Sequence, residues 1–110
     1  MPNVKIYVEE AVFAEQRAAL IEALPSIRAL LAEGFNVDVP AFQFAVMPVV
    51  AMPDLPLINV ELHILPKPER TRAAVLAVCA DLRALIEGVA GCRAAIRVMT
   101  LDPETYIALK

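Results

Sequence analysis

The sequence predicts an α/β (α+β) fold built from a tandem βαβ repeat, with four strands in one sheet and two helices on one face of it. The first observation is a repeat, because the segment NVKIYV at 3–8 recurs as NVELHI at 59–64. Both copies alternate apolar and polar residues, which is typical of a strand with one buried face. The second observation is that each copy leads into a helical pattern and then into a further apolar strand.

The first unit contains a strand at 3–8, a helix at 14–33 and a strand at 41–50. Apolar side chains recur every three or four residues along the helical segment, and Gly34 follows its last apolar turn, where a glycine commonly ends a helix. Pro25 lies inside this pattern and predicts a kink or a break there, because proline removes a backbone donor.

The second unit contains a strand at 59–64, a helix at 69–87 that is expected to end at Gly88, and a strand at 92–101. A strand, a crossover helix and a second strand in one sheet are parallel, so each unit predicts one parallel pair.

The chain length is that of a single domain, since 110 residues provide one modest core. We therefore predict one domain at 1–110, with repeat one at 2–51 and repeat two at 57–102. The tail after the last strand is apolar enough to dock, and it is expected to add an edge strand to a partner.

The composition favours an oligomer. Apolar residues make up 59% of the chain and the mean hydropathy is +0.61, more than a small monomer can bury. Segment 41–50 is apolar on both faces, so neighbouring subunits are expected to cover the free face of the sheet.

Several classes of function are disfavoured. The net charge of −3 argues against nucleic acid as a partner. The absence of an 18-residue apolar run or a leader pattern argues against a membrane and favours the cytoplasm. Cys79 and Cys92 have the spacing of neither a metal site nor a redox pair, so they are predicted to be reduced thiols, with no metal or cofactor expected.

Pro2 is the candidate catalytic residue, because it follows Met1 and directly precedes the first strand. Removal of Met1 would leave a secondary amine with a reference pKa of about 7.7–8.0. Apolar surroundings and nearby cations favour its neutral form, which is a general base near neutral pH.

Three segments together resemble the tautomerase superfamily in its fused two-unit form: Pro2 with its strand, LHILPKPER at 62–70, and IRVMTLD at 96–102. The resemblance implies a tautomerase/MIF-like homotrimer without a cofactor. It also implies that Lys67 or Arg70 holds the carboxylate of a small-molecule substrate and that Arg97 polarises the substrate.

The corresponding positions in the first repeat are uncharged, Val12 and Ala45, so one site per chain is expected. Tyr106 is predicted to close a neighbour's substrate pocket or to dock the tail. His63 is interpreted as a hydrogen-bonded interface residue, and the pair at 9–10 as a solvated strand end with a catalytic carboxylate pair as the weaker reading.

The functional hypothesis is therefore a tautomerase or isomerase that uses Pro2 as general base on a small enolisable 2-oxo or 2-hydroxy acid. Hydration or decarboxylation of a small acid in the same site is a related possibility. The alternatives are a non-catalytic trimeric binding or scaffold protein of the same fold, with Arg97 in an interface ion pair, and a ferredoxin-like dimeric ligand sensor.

Overall fold

A computed structural model of the chain describes residues 2–110. The order of elements is β1 (Asn3–Glu9), α1 (Glu10–Phe35), a 3-10 turn (Val39–Ala41), β2 (Gln43–Val49), β3 (Ile58–Ile64), α2 (Arg72–Ala90) and β4 (Ala94–Thr100). The four strands form one sheet in the order β2-β1-β3-β4. β1 is parallel to β2 and β3 is parallel to β4, while the central pair, β1 and β3, is antiparallel. The predicted fold class is confirmed.

The core lies between the sheet and the two helices. Alternate residues of the inner strands are at most 1% exposed: Val4, Ile6, Val8, Ile58, Val60, Leu62 and Ile64. The helices cover them with stripes at helical spacing: Leu20, Ile27, Leu31 and Phe35 from α1, and Val78, Leu82, Ile86 and Ala90 from α2. The apolar residues that recur every two positions in the strands and every three to four positions in the helices therefore form one buried layer.

The opposite face of the sheet is polar on the two inner strands and mixed on β4. β1 and β3 carry Lys5, Tyr7, Asn59, Glu61 and His63 there, while β4 carries Arg97 between Ala95 and Met99. The expectation that neighbouring subunits cover this face stays a prediction, and the apolar positions of the face lie mainly along β2, with Ala45, Met47 and Val49. The expectation rested on β2, which is an edge strand with no strand pairing on one side.

Helix α1 begins four residues earlier than predicted because Glu9 caps it. The Glu9 carboxylate accepts hydrogen bonds from the backbone N–H groups of Ala11 and Val12, at 2.9 and 3.0 Å. Glu9 is thus a helix cap rather than a solvated strand end. The helix continues through Pro25 without a break, and Pro25 lies on its exposed side, where water can bond the carbonyl one turn earlier.

Neither predicted glycine ends its helix. α1 runs through Gly34 to Phe35 and is capped by Asn36, whose φ of 52° lies in the left-handed region. α2 runs through Gly88 to Ala90 and is capped by Gly91, with φ 71°. Gly34 instead serves helix packing, because a Cβ atom there would lie 2.7 Å from Cγ2 of Val78 on α2.

The tail after β4 forms no strand within the chain. It contains a turn at 103–105 and continues as an irregular segment to Lys110. None of the helices described in residues 2–110 is long and apolar enough to cross a membrane.

Candidate active site

One end of the sheet collects most of the candidate residues. Since β1 and β3 are antiparallel, the start of β1 lies beside the end of β3, and Asn3 pairs with His63. The start of β2 and the end of β4 lie at the same end of the sheet. Pro2, the loop at 65–71 and the tail at 101–110 are therefore brought together by topology alone.

Pro2 is buried at this end, and its carbonyl accepts a hydrogen bond from the N–H of Gln43 at 3.2 Å. Beside it is a cavity of about 130 Å³ lined by Pro2, Asn3, Ala41, Gln43, Tyr106, Ala108, Leu109 and Lys110. Tyr106 thus lies at the Pro2 cavity of its own chain. Lys110 is the charged side chain on this lining, and the sequence pattern did not single it out.

Arg70 is half-buried and bound to backbone. Its guanidinium donates to the carbonyl of Leu65 at 2.6 Å and to that of Phe35 at 3.1 Å, and its Cζ lies 5.5 Å from the centre of the Phe35 ring. Phe35 is the last residue of α1, whose final carbonyls lack helical partners and attract a cation. Burial lowers the pKa of Arg70, and the nearby charge of Glu69 partly offsets this. Arg70 therefore ties the loop after β3 to the end of α1.

Lys67 lies in the same loop as Arg70, three residues beyond β3, and is exposed. It is at the same end of the sheet as Pro2 but does not line the Pro2 cavity. Of the two cations proposed to hold a carboxylate, Lys67 is the one whose head group faces solvent.

Arg97 lies in the middle of β4 on the polar face, opposite Glu61, and donates to the side-chain carbonyl oxygen of Asn59. Pro2 is level with Thr100 in the strand register, so Arg97 lies three residues further along and two strands across. With a rise of about 3.3 Å per residue and a strand spacing of about 4.8 Å, the backbone separation is about 14 Å. Pro2 and Arg97 of one chain do not share a pocket.

The polar face around Arg97 is a second group of titratable side chains. Lys5, Glu61 and Arg97 are cross-strand neighbours in one row, with Ala45 at its far end. Hydrogen bonding with the Glu61 carboxylate, followed by partial burial and the negative charge of Glu61, raises the pKa of the Tyr7 phenol.

Two larger concavities lie away from Pro2, between α2 and β4. One of about 520 Å³ is lined in part by Arg83, Glu87, Arg93 and Arg97, and an adjoining one of about 400 Å³ by Arg70 and Arg72. Both are open grooves beside an edge strand, and Pro2 contributes to neither. Size alone therefore does not identify the site of chemistry.

No protein-family model and no curated protein matches the sequence. Solved structures match it over nearly its full length. A macrophage migration inhibitory factor-like protein from Entamoeba histolytica is 11% identical, with 97% of this chain and 94% of that chain covered and a TM-score of 0.73. A fused 4-OT asymmetric trimer is 12% identical, with 96% and 91% covered and a TM-score of 0.70. FG41 malonate semialdehyde decarboxylase is 15% identical, with 94% and 86% covered and a TM-score of 0.62.

These matches have one fold in common, and this chain shares it. The predicted resemblance to the tautomerase superfamily is confirmed at the level of the fold. At 11 to 15% identity the likeness defines architecture, and the chemistry has to be argued from this chain's own residues.

Proposed function

We propose that this chain is a tautomerase or isomerase that uses the amino-terminal proline as general base on a small enolisable 2-oxo or 2-hydroxy acid. One observation carries the proposal. Pro2 is buried at the first position before β1 and borders a cavity, and its carbonyl is held by Gln43. Because the sheet holds Pro2 in this way, the position of its ring nitrogen is set by β1 and β2 and not by a freely moving chain end.

The base depends on loss of Met1. While Met1 is attached, the Pro2 nitrogen belongs to an amide and has no basic lone pair; after its removal the nitrogen is a secondary amine. An unperturbed terminal amine has a pKa of about 7.7–8.0. Burial of Pro2 favours the neutral amine, so the base is available near neutral pH.

The reaction moves one proton. The Pro2 nitrogen takes the proton from the enol oxygen, the electron pair of the O–H bond forms the carbonyl, and the C=C electrons take the proton back from the Pro2 ammonium group at carbon. The reverse direction removes a proton from the carbon next to the carbonyl. Both directions balance without a cofactor, and negative charge develops transiently on oxygen.

Cations are required for that charge and for the substrate carboxylate, and we assign them to Arg97 and Lys67. Because Arg97 is about 14 Å from Pro2 within one chain by strand geometry, it would act on the Pro2 of a neighbouring copy. A homotrimer would supply such a copy, and the fused 4-OT neighbour is named as a trimer. Arg70 already serves two carbonyl groups, which favours Lys67 as the carboxylate anchor. Tyr106 would form a wall of the site.

The alternative is a non-catalytic binding or scaffold protein that has kept the fold. The observation in its favour is that Arg97 is already hydrogen-bonded to Asn59 and faces Glu61 on the sheet, as a structural arginine would. In that case Pro2 serves only to start β1, and removal of Met1 would have no functional consequence.

Two measurements separate these functions. Intact mass of the protein from its native host reports whether Met1 is removed. Turnover of phenylenolpyruvate and 2-hydroxymuconate, followed by the ultraviolet loss of the enol, is then compared between wild type and Pro2→Ala. We expect loss of activity by about 100-fold or more, the usual contribution of a general base, with unchanged thermal unfolding. Equal turnover in the two proteins would refute the role of Pro2.

A further inference from the structure

The tail at 106–110 folds onto the Pro2 cavity of its own chain, and a turn fixes this course. Leu101 donates its N–H to the carbonyl of Ile64 at 2.8 Å, which continues the β3–β4 pairing by one step. The Asp102 side chain then accepts a hydrogen bond from the N–H of Glu104 at 2.9 Å. Its carbonyl accepts from the N–H groups of Tyr106 and Thr105, at 2.9 and 3.2 Å, and from the Thr105 hydroxyl at 3.5 Å. The chain reverses there and runs toward the start of β1.

Half of the cavity wall comes from this segment, which we call the C-terminal strap: Tyr106, Ala108, Leu109 and Lys110. The other half comes from the starts of β1 and β2 and the turn before β2. Lys110 is the only charged side chain among the eight lining residues. Lys67, Arg70 and Arg97 do not line this cavity, so within one chain Lys110 is the cation that borders the same space as the Pro2 ring.

The cavity is small. Its volume of about 130 Å³ equals about four times the share of one water molecule in the liquid. Pockets for larger organic ligands measure about 300–1,000 Å³. A space of this size matches an acid of three or four carbons better than one that carries an aromatic ring, and Tyr106 is the large side chain on its wall.

We propose that the C-terminal strap sets the substrate preference of the Pro2 site, favouring 2-oxo acids of three or four carbons over larger ones, and that Lys110 is a further, own-chain contact for their carboxylate. This inference rests on the proposed function of Pro2. The strap would distinguish substrates by size, which Lys67, Arg70 and Arg97 cannot do within one chain because they do not line the cavity. The same charge disfavours protonation of the Pro2 amine and thereby lowers its pKa.

The size limit is tested by hydrogen–deuterium exchange at carbon 3 of pyruvate and of phenylpyruvate, read by proton NMR in D₂O. Wild type and Tyr106→Ala are compared after subtraction of the uncatalysed rate. We expect Tyr106→Ala to raise the ratio of kcat/KM for phenylpyruvate to that for pyruvate by about tenfold or more, as one well-filled subsite allows. An unchanged ratio overturns the size limit.

The charge is tested with Lys110→Met and with Arg17→Met as the matched control, since Arg17 is an exposed cation on α1 away from the cavity. We expect Lys110→Met to raise KM for pyruvate about tenfold with little change in kcat. In ¹⁵N-proline-labelled protein, it should also raise the pKa of the Pro2 amine by about half to one unit, as expected for loss of one nearby cation. Arg17→Met should change neither quantity.

The outcomes separate the two proposals. If Pro2 titrates but Lys110→Met behaves as Arg17→Met does, the strap inference is wrong and the base remains. If Pro2 titrates and wild type neither exchanges these two acids nor turns over the two enols, the proposed function is wrong, while the shift in the Pro2 pKa still decides whether Lys110 acts on the amine. If Met1 is retained and no proline amine titrates, both proposals are overturned.

Discussion

Gly34 on α1 and Val78 on α2 meet so closely that a single added methyl group cannot be placed between them. A Cβ atom at position 34 would lie 2.7 Å from one Val78 methyl carbon and 3.1 Å from the other. Val78 is a β-branched residue in a helix, where one side-chain rotamer is strongly preferred, so it cannot turn away. The glycine that resembles a helix stop in the sequence is a point of close contact between the two helices.

Overpacking in Gly34→Ala is therefore expected to cost about 1–3 kcal/mol, which the gain of about 0.5–1 kcal/mol in helix propensity offsets only in part. A net loss of stability is expected. Gly88→Ala is the matched control, because it is also a helical glycine but has nothing within 4 Å of the added atom. That variant should be stabilised by about 0.5–1 kcal/mol through helix propensity. Urea unfolding measures both, and a stabilised Gly34→Ala protein would contradict the close contact.

Glu9→Ala should weaken the start of α1. The carboxylate accepts two backbone N–H groups that have no helical partner, so its loss is expected to cost about 1 kcal/mol, within the range of N-cap substitutions. Glu10→Ala, one residue into the helix, is the control. It should cost less stability, since the Glu9 carboxylate is the group that accepts the hydrogen bonds of the first turn. Comparable losses in the two variants would show that general charge near the helix start matters more than the cap.

Arg70→Met should destabilise the loop after β3 and the end of α1 together. Two carbonyl groups lose a charged donor, and such bonds contribute about 1.5–3 kcal/mol each in favourable cases. Because Arg70 is only half-buried and water can replace part of the interaction, we expect a total loss of about 1–3 kcal/mol. Arg72→Met, an exposed neighbour, should change stability by less than about 0.5 kcal/mol. Chemical unfolding measures both variants. A loss of stability in Arg70→Met no larger than that in Arg72→Met would show that Arg70 does not anchor the loop.

Glu61→Gln should lower the pKa of Tyr7. Glu61 raises it in the folded protein through a hydrogen bond and through its negative charge, and the phenol of a free tyrosine titrates near about 10. The chain has two tyrosines, so the titration is read by ultraviolet absorbance in a Tyr106→Phe background. The phenolate of Tyr7 should appear at lower pH in Glu61→Gln than in its Glu61 parent. Coincident curves would exclude the interaction.

The inner strands could be predicted to within one residue, while the helix ends could not. Val4, Ile6 and Val8 alternate with polar residues, and this pattern reports burial directly. Helix ends depend on local caps instead. α1 is capped by Glu9, which is not among the favoured capping residue types, and ends at Asn36 rather than at Gly34.

Only those residues of the candidate site could be predicted whose place follows from their position in the chain. Pro2 was identifiable because it precedes β1, and the meeting of its end of the sheet with the loop of Lys67 follows from topology. The role of Arg70 as a partner of the Phe35 carbonyl joins residues 35 positions apart, which no local pattern reports. Lys110 reaches the Pro2 cavity because of the turn at Asp102, and nothing in the spacing of the tail signals that course.

The most direct test of the account is the ¹⁵N NMR titration of the Pro2 nitrogen in protein whose amino terminus has been defined by intact mass. We expect a processed chain that begins at Pro2 and a secondary amine with a pKa at or below the ordinary range of about 7.7–8.0. A chain that still carries methionine ahead of the ring, or an amine that stays protonated well above that range, would contradict it.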